Sequence, residues 1–127
     1  MSQKIKVEKD ENNQVGIPTV WRPILESIVE ALKAGDYTLS KVGGGVEILS
    51  SEDAEMVACS IEAYGETLVS LLDETWNTSA CQWMGEYWDI CVDLCTEDEG
   101  VSDLALFVSI YEESDYYIFR VQSVYVP

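Results

Sequence analysis

Hydrophobic residues recur at helical spacing near the start of the chain. From residue 21 onward the apolar positions follow one another at intervals of three and four residues. Pro23 suits the first turn of a helix, and Gly35 suits its end. We therefore predict a helix that buries one apolar stripe, formed by Trp21, Ile24, Leu25, Ile28, Val29 and Leu32.

A second helix is predicted to begin at Ser50 or Ser51. Ser50 and Asp53 have the spacing of a capping box, with Asp in place of the usual Glu or Gln. Between the helices, residues 37–49 look extended and are broken by glycines 43–45. A turn is favoured there over a phosphate-binding loop, because no Lys-Ser/Thr pair follows. The helix is expected to end at Gly65, with an apolar face of Met56, Val57, Ser60, Ile61 and Tyr64 and with Cys59 beside it.

The period of the pattern changes to two in the second half of the chain. A short apolar strand at residues 67–72 and a tryptophan-rich link at 76–85 come first. Polar and apolar residues then alternate at 86–95, 104–110 and 116–126, with short acidic turns between these segments. Short connections favour an antiparallel meander. We predict an α+β fold, in which two N-terminal helices pack on an antiparallel β-meander of about four strands.

The chain has 127 residues, of which 47% are hydrophobic, and this is enough for one domain with a core. Residues 1–17 are polar and are predicted to form a flexible N-terminal lead-in to a single α+β domain at 18–127. No segment is long and apolar enough to cross a membrane, and no signal-peptide core is present, so we predict a cytoplasmic protein without a membrane partner. Reduced thiols are therefore expected at Cys59, Cys81, Cys91 and Cys95.

The charge balance is strongly acidic. Seven Lys and Arg stand against 24 Asp and Glu, which gives a net charge of −17 at pH 7, and there is no histidine. Between Lys41 and Arg120 the chain contains 18 carboxylates and no basic residue. Such a surface opposes nucleic-acid binding, and the lack of histidine excludes Ser-His-Asp, Cys-His and His-metal sites. The predicted partner is a basic protein; the alternative is that the acidity serves solubility alone.

The candidate partner-binding residues lie in the two acidic turns and on one face of the sheet. Interfaces that recognise Arg and Lys combine aromatic anchors with a charged rim. Alternate turns of a meander lie at opposite ends of the sheet, so the acidic turns should flank the face between them. Alternation leaves open whether the buried face is the one with Trp88, Ile90, Val92 and Leu94 or the one with Tyr87, Phe107, Tyr117 and Tyr125. The predicted partner-binding residues are Glu97, Asp98 and Glu99 in the first turn, Glu112, Glu113, Asp115 and Tyr116 in the second, and Tyr87, Asp89 and Asp93 on the sheet.

Carboxylates on the same face raise a catalytic alternative. Asp89 and Asp93 are four residues apart, too far to share a proton unless a neighbouring strand brings Asp103 alongside. Such a group could bind a divalent cation or act in general acid–base chemistry. No nucleophile arrangement, cofactor motif or nearby cation supports it. We predict no enzymatic activity, no metal and no cofactor, with a carboxylate-dependent hydrolase or metal-binding domain as an alternative.

Several short motifs resemble those of a small bacterial domain family without assigned activity. The resemblance covers about residues 21–127 and implies no catalytic residues. The motifs are CQWMG at 81–85, YWD at 87–89, VDL at 92–94, SDL at 102–104 and VYVP at 124–127.

In size, charge and class the chain also resembles, more loosely, the immunity proteins of contact-dependent growth inhibition and other polymorphic toxin systems. Immunity proteins bind on or beside the active site of a toxin domain, very often a cationic nuclease. The resemblance implies an inhibitor that neutralises such a toxin by tight protein–protein binding, as in a toxin–antitoxin pair. We expect a monomer or weak homodimer that does not bind nucleic acid. A DNA mimic that inhibits a nucleic-acid-binding protein is the alternative in the same charge class.

Overall fold

The first helix follows the predicted apolar stripe. The structure is a computed structural model that describes residues 6–127. A 3-10 turn at Thr19–Trp21 leads into α1 (Arg22–Lys33), which has a proline near its start. Ile24 is half-buried. The rest of the stripe faces the core, as predicted, through Trp21, Leu25, Ile28, Val29 and Leu32.

The second helix, α2 (Ser51–Tyr64), begins as predicted. The Ser50 hydroxyl accepts a hydrogen bond from the Asp53 backbone N–H at 3.1 Å, and Gly65 follows the last turn. The predicted apolar face is wrong at Met56, which is 69% exposed. The rest of the predicted face is confirmed, because Val57 and Ile61 are buried and Ser60 and Tyr64 are half-buried. Ala54, which was not predicted, completes the buried stripe.

A five-stranded antiparallel sheet forms the second half of the chain. Its central meander has the predicted order, and two short strands pair with one edge of its first long strand. The predicted strand at 67–72 is shorter than expected, and the link at 76–85 contains a helical turn and a strand. The fold class is α+β, as predicted. The elements are β1 (Leu68–Val69), α3 (Thr75–Thr78), β2 (Ala80–Trp83), β3 (Trp88–Thr96), β4 (Gly100–Glu112) and β5 (Tyr117–Tyr125).

The helices cover the sheet face that contains Trp88. Trp21 lies at the centre of this layer, with ring centroids 5.2 Å from Trp88, 5.3 Å from Tyr117 and 6.3 Å from Phe119, all edge to face. Each such pair adds about 0.5–1.5 kcal/mol beyond burial of area. Tyr117, which the sequence grouped with the other face, is therefore a core residue. Helix packing, which alternation does not reveal, decides which face is buried.

The N-terminal segment lies against β2. Val15 and Cys81 exchange two backbone hydrogen bonds, of 2.9 and 2.7 Å. The predicted lead-in at 1–17 thus has ordered contacts at its C-terminal end, while residues 1–5 lie outside the described part and the predicted flexibility stays a prediction. Further carbonyls of the segment accept hydrogen bonds: Glu8 from Trp88 Nε1 at 3.0 Å, and Asp10 and Glu11 from the Gln82 amide at 3.2 Å each.

The free edge of β3 is closed by side chains. β2 pairs with the start of β3 and β1 with its end, which leaves a gap at Asp93. The Asp93 N–H donates to Ser79 Oγ at 3.0 Å, and its carbonyl accepts from Thr75 Oγ1. One hydroxyl comes from α3 and the other from the residue after it, so this segment supplies the hydrogen bonds that a neighbouring strand would otherwise make with Asp93.

The β5 edge is partly covered by the loop before α2. The Phe119 N–H donates to the Gly45 carbonyl at 2.8 Å, and the Glu47 N–H donates to the Phe119 carbonyl at 2.9 Å. Farther along, a register shift leaves Gln122 as an extra residue in β5, opposite no residue of β4. Among residues 6–127 no helix is long and apolar enough to span a bilayer.

Candidate protein-binding surface

The sheet face opposite the helices, here called the open face, holds the predicted residues Tyr87, Asp89 and Asp93. Asp89 is exposed, and Tyr87 and Asp93 are half-buried. Alternation along three paired strands decides which side chains join them. The others are Cys91 of β3, Ala105, Phe107, Ser109 and Tyr111 of β4, and Ile118, Arg120, Ser123 and Tyr125 of β5.

Aromatic rings form two pairs on the open face. Phe107 and Tyr125 stack with centroids 4.5 Å apart and planes 15° apart, and Tyr125 is 48% exposed. Tyr87 and Tyr111 lie 5.3 Å apart. The other three rings are half-buried. Aromatic side chains grouped on a surface are typical of protein interfaces, so this face has the composition of an interface centre.

The side chains of Asp89, Cys91 and Asp93 on β3 differ in their surroundings. Burial among neighbours raises the pKa of Asp89. Burial, with the negative charges of Asp93 and Asp89, raises the pKa of the Cys91 thiol to about 11. Cys91 is therefore protonated near neutral pH and is a poor nucleophile. The Asp93 carboxylate accepts a hydrogen bond from Thr78 Oγ1.

Arg120 is the basic side chain that the sheet places on the open face. Its guanidinium donates two hydrogen bonds to the Glu47 carboxylate, of 2.7 and 3.0 Å, and lies 4.9 Å from the centre of the Tyr111 ring. Hydrogen bonding from the Arg120 side chain lowers the pKa of Glu47. The cation is thus neutralised within the molecule, and the unpaired charge of the face is negative.

The first acidic turn, Glu97 to Glu99, joins β3 to β4. Glu99 has a structural role, because its carboxylate accepts hydrogen bonds from the Tyr64 hydroxyl at 2.8 and 2.9 Å and from Thr96 Oγ1 at 3.0 Å. Glu97 and Asp98 are exposed. Burial and then the charges of Asp98 and Glu99 raise the pKa of Glu66, so Glu66 extends this acidic turn. The sequence offered no signal for Glu66, because the neighbouring residues reach the turn through backbone contacts distant in sequence: the Glu97 N–H donates to the Thr67 carbonyl, and Leu68 pairs with Thr96.

The second acidic turn is partly neutralised by the N-terminal segment. Lys9 Nζ lies 2.7 Å from Glu112 Oε1 and 5.2 Å from the centre of the Trp83 ring. The turn is closed by the Glu113 N–H, which donates to the Tyr116 carbonyl at 2.8 Å. Asp115 and Tyr116 are exposed, the latter by 54%.

The structure brings together only part of the predicted set. Tyr87, Asp89 and Asp93 share the open face, whereas the two turns lie at opposite ends of the sheet. Glu112 faces the N-terminal segment. Tyr111 was not among the predicted residues. Glu47 was not expected to reach the face, because contacts distant in sequence bring it there.

The carboxylates considered for a metal or acid–base site are only partly close to one another. Asp93 and Asp103 line one surface cavity of about 450 Å³, together with Thr78 and Pro127. Asp89 lies about 13 Å along the strand from Asp93. Within residues 6–127 no three His, Cys, Asp or Glu side chains are grouped so that they could hold a metal ion.

The fold and surface define a small α+β domain with an open acidic and aromatic sheet face. Residues 29–127 match the model of the family described as Domain of unknown function (DUF7668), and the chain belongs to that family. The uncharacterised family that the motifs indicated is consistent with this match. No curated protein and no solved structure matches the chain.

Proposed function

We propose that the protein is a cytoplasmic immunity-type inhibitor, which neutralises a cationic toxin domain, such as a nuclease, by binding it through the open face. The observation that supports this most directly is the pairing of Arg120 with Glu47. This pair leaves Asp89 and Asp93 as the unbalanced charges of a face that also exposes stacked aromatic rings. A basic partner would bury the rings and neutralise the carboxylates at the same time.

Solubility alone accounts less well for this arrangement. Charges that serve solubility are effective anywhere on the surface, and exposed aromatic area works against them. Here carboxylates and rings share one face, and exposed Glu97 and Asp98 extend the negative field at one end of the sheet. In the proposed complex this turn attracts the partner over distance, and the rings form the desolvated centre.

Affinity capture tests the proposal. The tagged protein is used to capture partners from lysate of its own cells, with washes at low salt and then at ~0.5 M salt, where surface charges are largely screened. We expect one stoichiometric basic protein to survive the second wash. When expressed alone it should be toxic, and co-expression with this chain should restore growth.

Two results would contradict the proposal. If many basic proteins bind and all are lost at high salt, the acidity acts only as a general charge. If several unrelated DNA-binding proteins are captured and DNA displaces them, the DNA mimic is the better explanation.

A further inference from the structure

The strand register sets a carboxylate beside an aromatic ring at the centre of the open face. Cys91 pairs directly with Phe107, so Asp89 is a diagonal neighbour of Phe107 and is paired with Ser109. Diagonal neighbours in a sheet lie about 7–8 Å apart at Cα, within reach of an aromatic side chain. Ser109 itself is buried, whereas the Asp89 side chain is exposed and can be reached from outside.

Asp89 differs from Asp93 and Glu47, the other carboxylates at this face, in having no partner. Asp93 accepts a hydrogen bond from Thr78, but no hydrogen bond or ion pair involves the Asp89 carboxylate within the part of the chain described. Its pKa is raised by burial, which means that the charged form is incompletely solvated. A cation placed next to it would remove this penalty.

The molecule contains an example of the group that fits such a place. The guanidinium of Arg120 lies over the Tyr111 ring while it donates two hydrogen bonds to Glu47. A planar guanidinium can stack on a ring and bind a carboxylate through two N–H groups, whereas a lysine ammonium does not combine these contacts as well. Asp89 and Phe107 offer the same two contacts to a group from outside.

We infer that the open face binds an arginine side chain of the basic partner, with the guanidinium on the Asp89 carboxylate and against the Phe107 ring. The inference rests on the proposed function, because it names the group that the partner contributes. Since Glu47 neutralises Arg120 at the other end of this row of side chains, the incoming arginine meets a net negative site.

Short peptides test this inference without the natural partner. Three blocked tripeptides, with Arg, Lys or neutral citrulline between two glycines, are titrated into the full chain while backbone amide NMR signals are followed. We expect the Arg peptide to shift the signals of Phe107 and Ser109 with millimolar affinity, and the citrulline peptide to bind about tenfold more weakly or not at all. The Lys peptide should bind more weakly than the Arg peptide.

Two variants separate this site from general acidity. Asp89→Asn should weaken Arg-peptide binding about tenfold, since it removes the charge and keeps the size. Glu55→Gln, on the exposed side of α2, should leave binding unchanged. Equal binding of Arg and Lys peptides, or shifts spread over both acidic turns and unaffected by Asp89→Asn, would overturn the inference.

The proposed function and the arginine site can fail separately. A captured toxin whose binding is insensitive to Asp89→Asn would contradict the arginine site and leave the inhibitor role standing. Specific Arg-peptide binding without any toxic partner would contradict the inhibitor role.

Discussion

Gly45 provides a sharp test of how the loop before α2 is attached to the sheet. Its φ is +88°, and a Cβ built on it would lie 2.3 Å from the Tyr117 carbonyl oxygen. Because that oxygen belongs to the backbone of β5, Gly45→Ala can be accommodated only if the loop or the strand moves. Gly43 is a matched control, since its φ is +69° and an added Cβ would meet nothing within 4 Å.

The expected magnitudes follow from the contacts. Both alanine variants incur about 1–2 kcal/mol of left-handed backbone strain. Only Gly45→Ala also disrupts the two backbone hydrogen bonds between the loop and Phe119, each worth about 0.5–1.5 kcal/mol net. The free energy of unfolding should therefore fall by about 2–5 kcal/mol in Gly45→Ala, a large part of the 5–15 kcal/mol typical of a domain.

Urea denaturation followed by tryptophan fluorescence measures the difference. With an m value of about 1–3 kcal/mol per molar urea, the Gly45→Ala midpoint should lie on the order of 1 M below that of Gly43→Ala. Equal midpoints at equal m values would refute the close approach of the loop to β5. Such a result would also remove the basis for the pairing of Arg120 with Glu47.

Three further predictions concern charge. Lys9→Ala removes an ion pair and a cation–π contact, and it should lower the free energy of unfolding by about 1 kcal/mol in urea titrations. The control Lys33→Ala removes an exposed helical pair and an exposed hydrogen bond to Ser70 Oγ, and it should lower that free energy by about 0.5 kcal/mol. Equal losses would contradict the docking of the N-terminal segment. Because burial raises the pKa of Asp89, its charge disfavours folding above that pKa, and the penalty disappears as the pH falls through it. Asp89→Asn should therefore raise the urea midpoint at about pH 7 but not at about pH 3, where the carboxyl is protonated in both states. Once a partner is identified, the joint substitution Glu97→Gln and Asp98→Asn should slow association several-fold at low salt and reduce its salt dependence. Neutralising two α2 carboxylates should have neither effect. Unchanged association rates in stopped-flow measurements would exclude this turn from the encounter.

The fold was predictable where local signals act alone. Ser50 caps α2 because its hydroxyl and the Asp53 N–H are close in sequence, and the meander follows from alternation and short turns. Met56 was misassigned because two neighbouring stripes of α2 are apolar, and packing on the sheet selects one of them. Residues 80–83 form too short a strand for alternation to be detected.

The candidate surface was predictable only in part. Alternation placed Asp89 and Asp93 on one face, but only the position of the helices shows that this face is open. Tyr117 is buried in the core because it packs against Trp21, a residue far away in the sequence. The docking of Lys9 on the second turn depends on backbone hydrogen bonds of a polar segment, which no hydrophobic pattern reports.

The covered positions on the strand edges have a consequence for how the proposed partner choice could change during evolution. A bare edge binds other chains through its backbone, with little regard to their sequence. Here Ser79 and Thr75 occupy the backbone groups of Asp93, and the Gly45 loop occupies those of Phe119. In the proposed complex, recognition is thereby directed to the side chains of the open face, several of which contribute little to the core. If the open face binds a partner as proposed, substitutions there would alter partner choice while the scaffold stays constant, and targets could diversify without refolding.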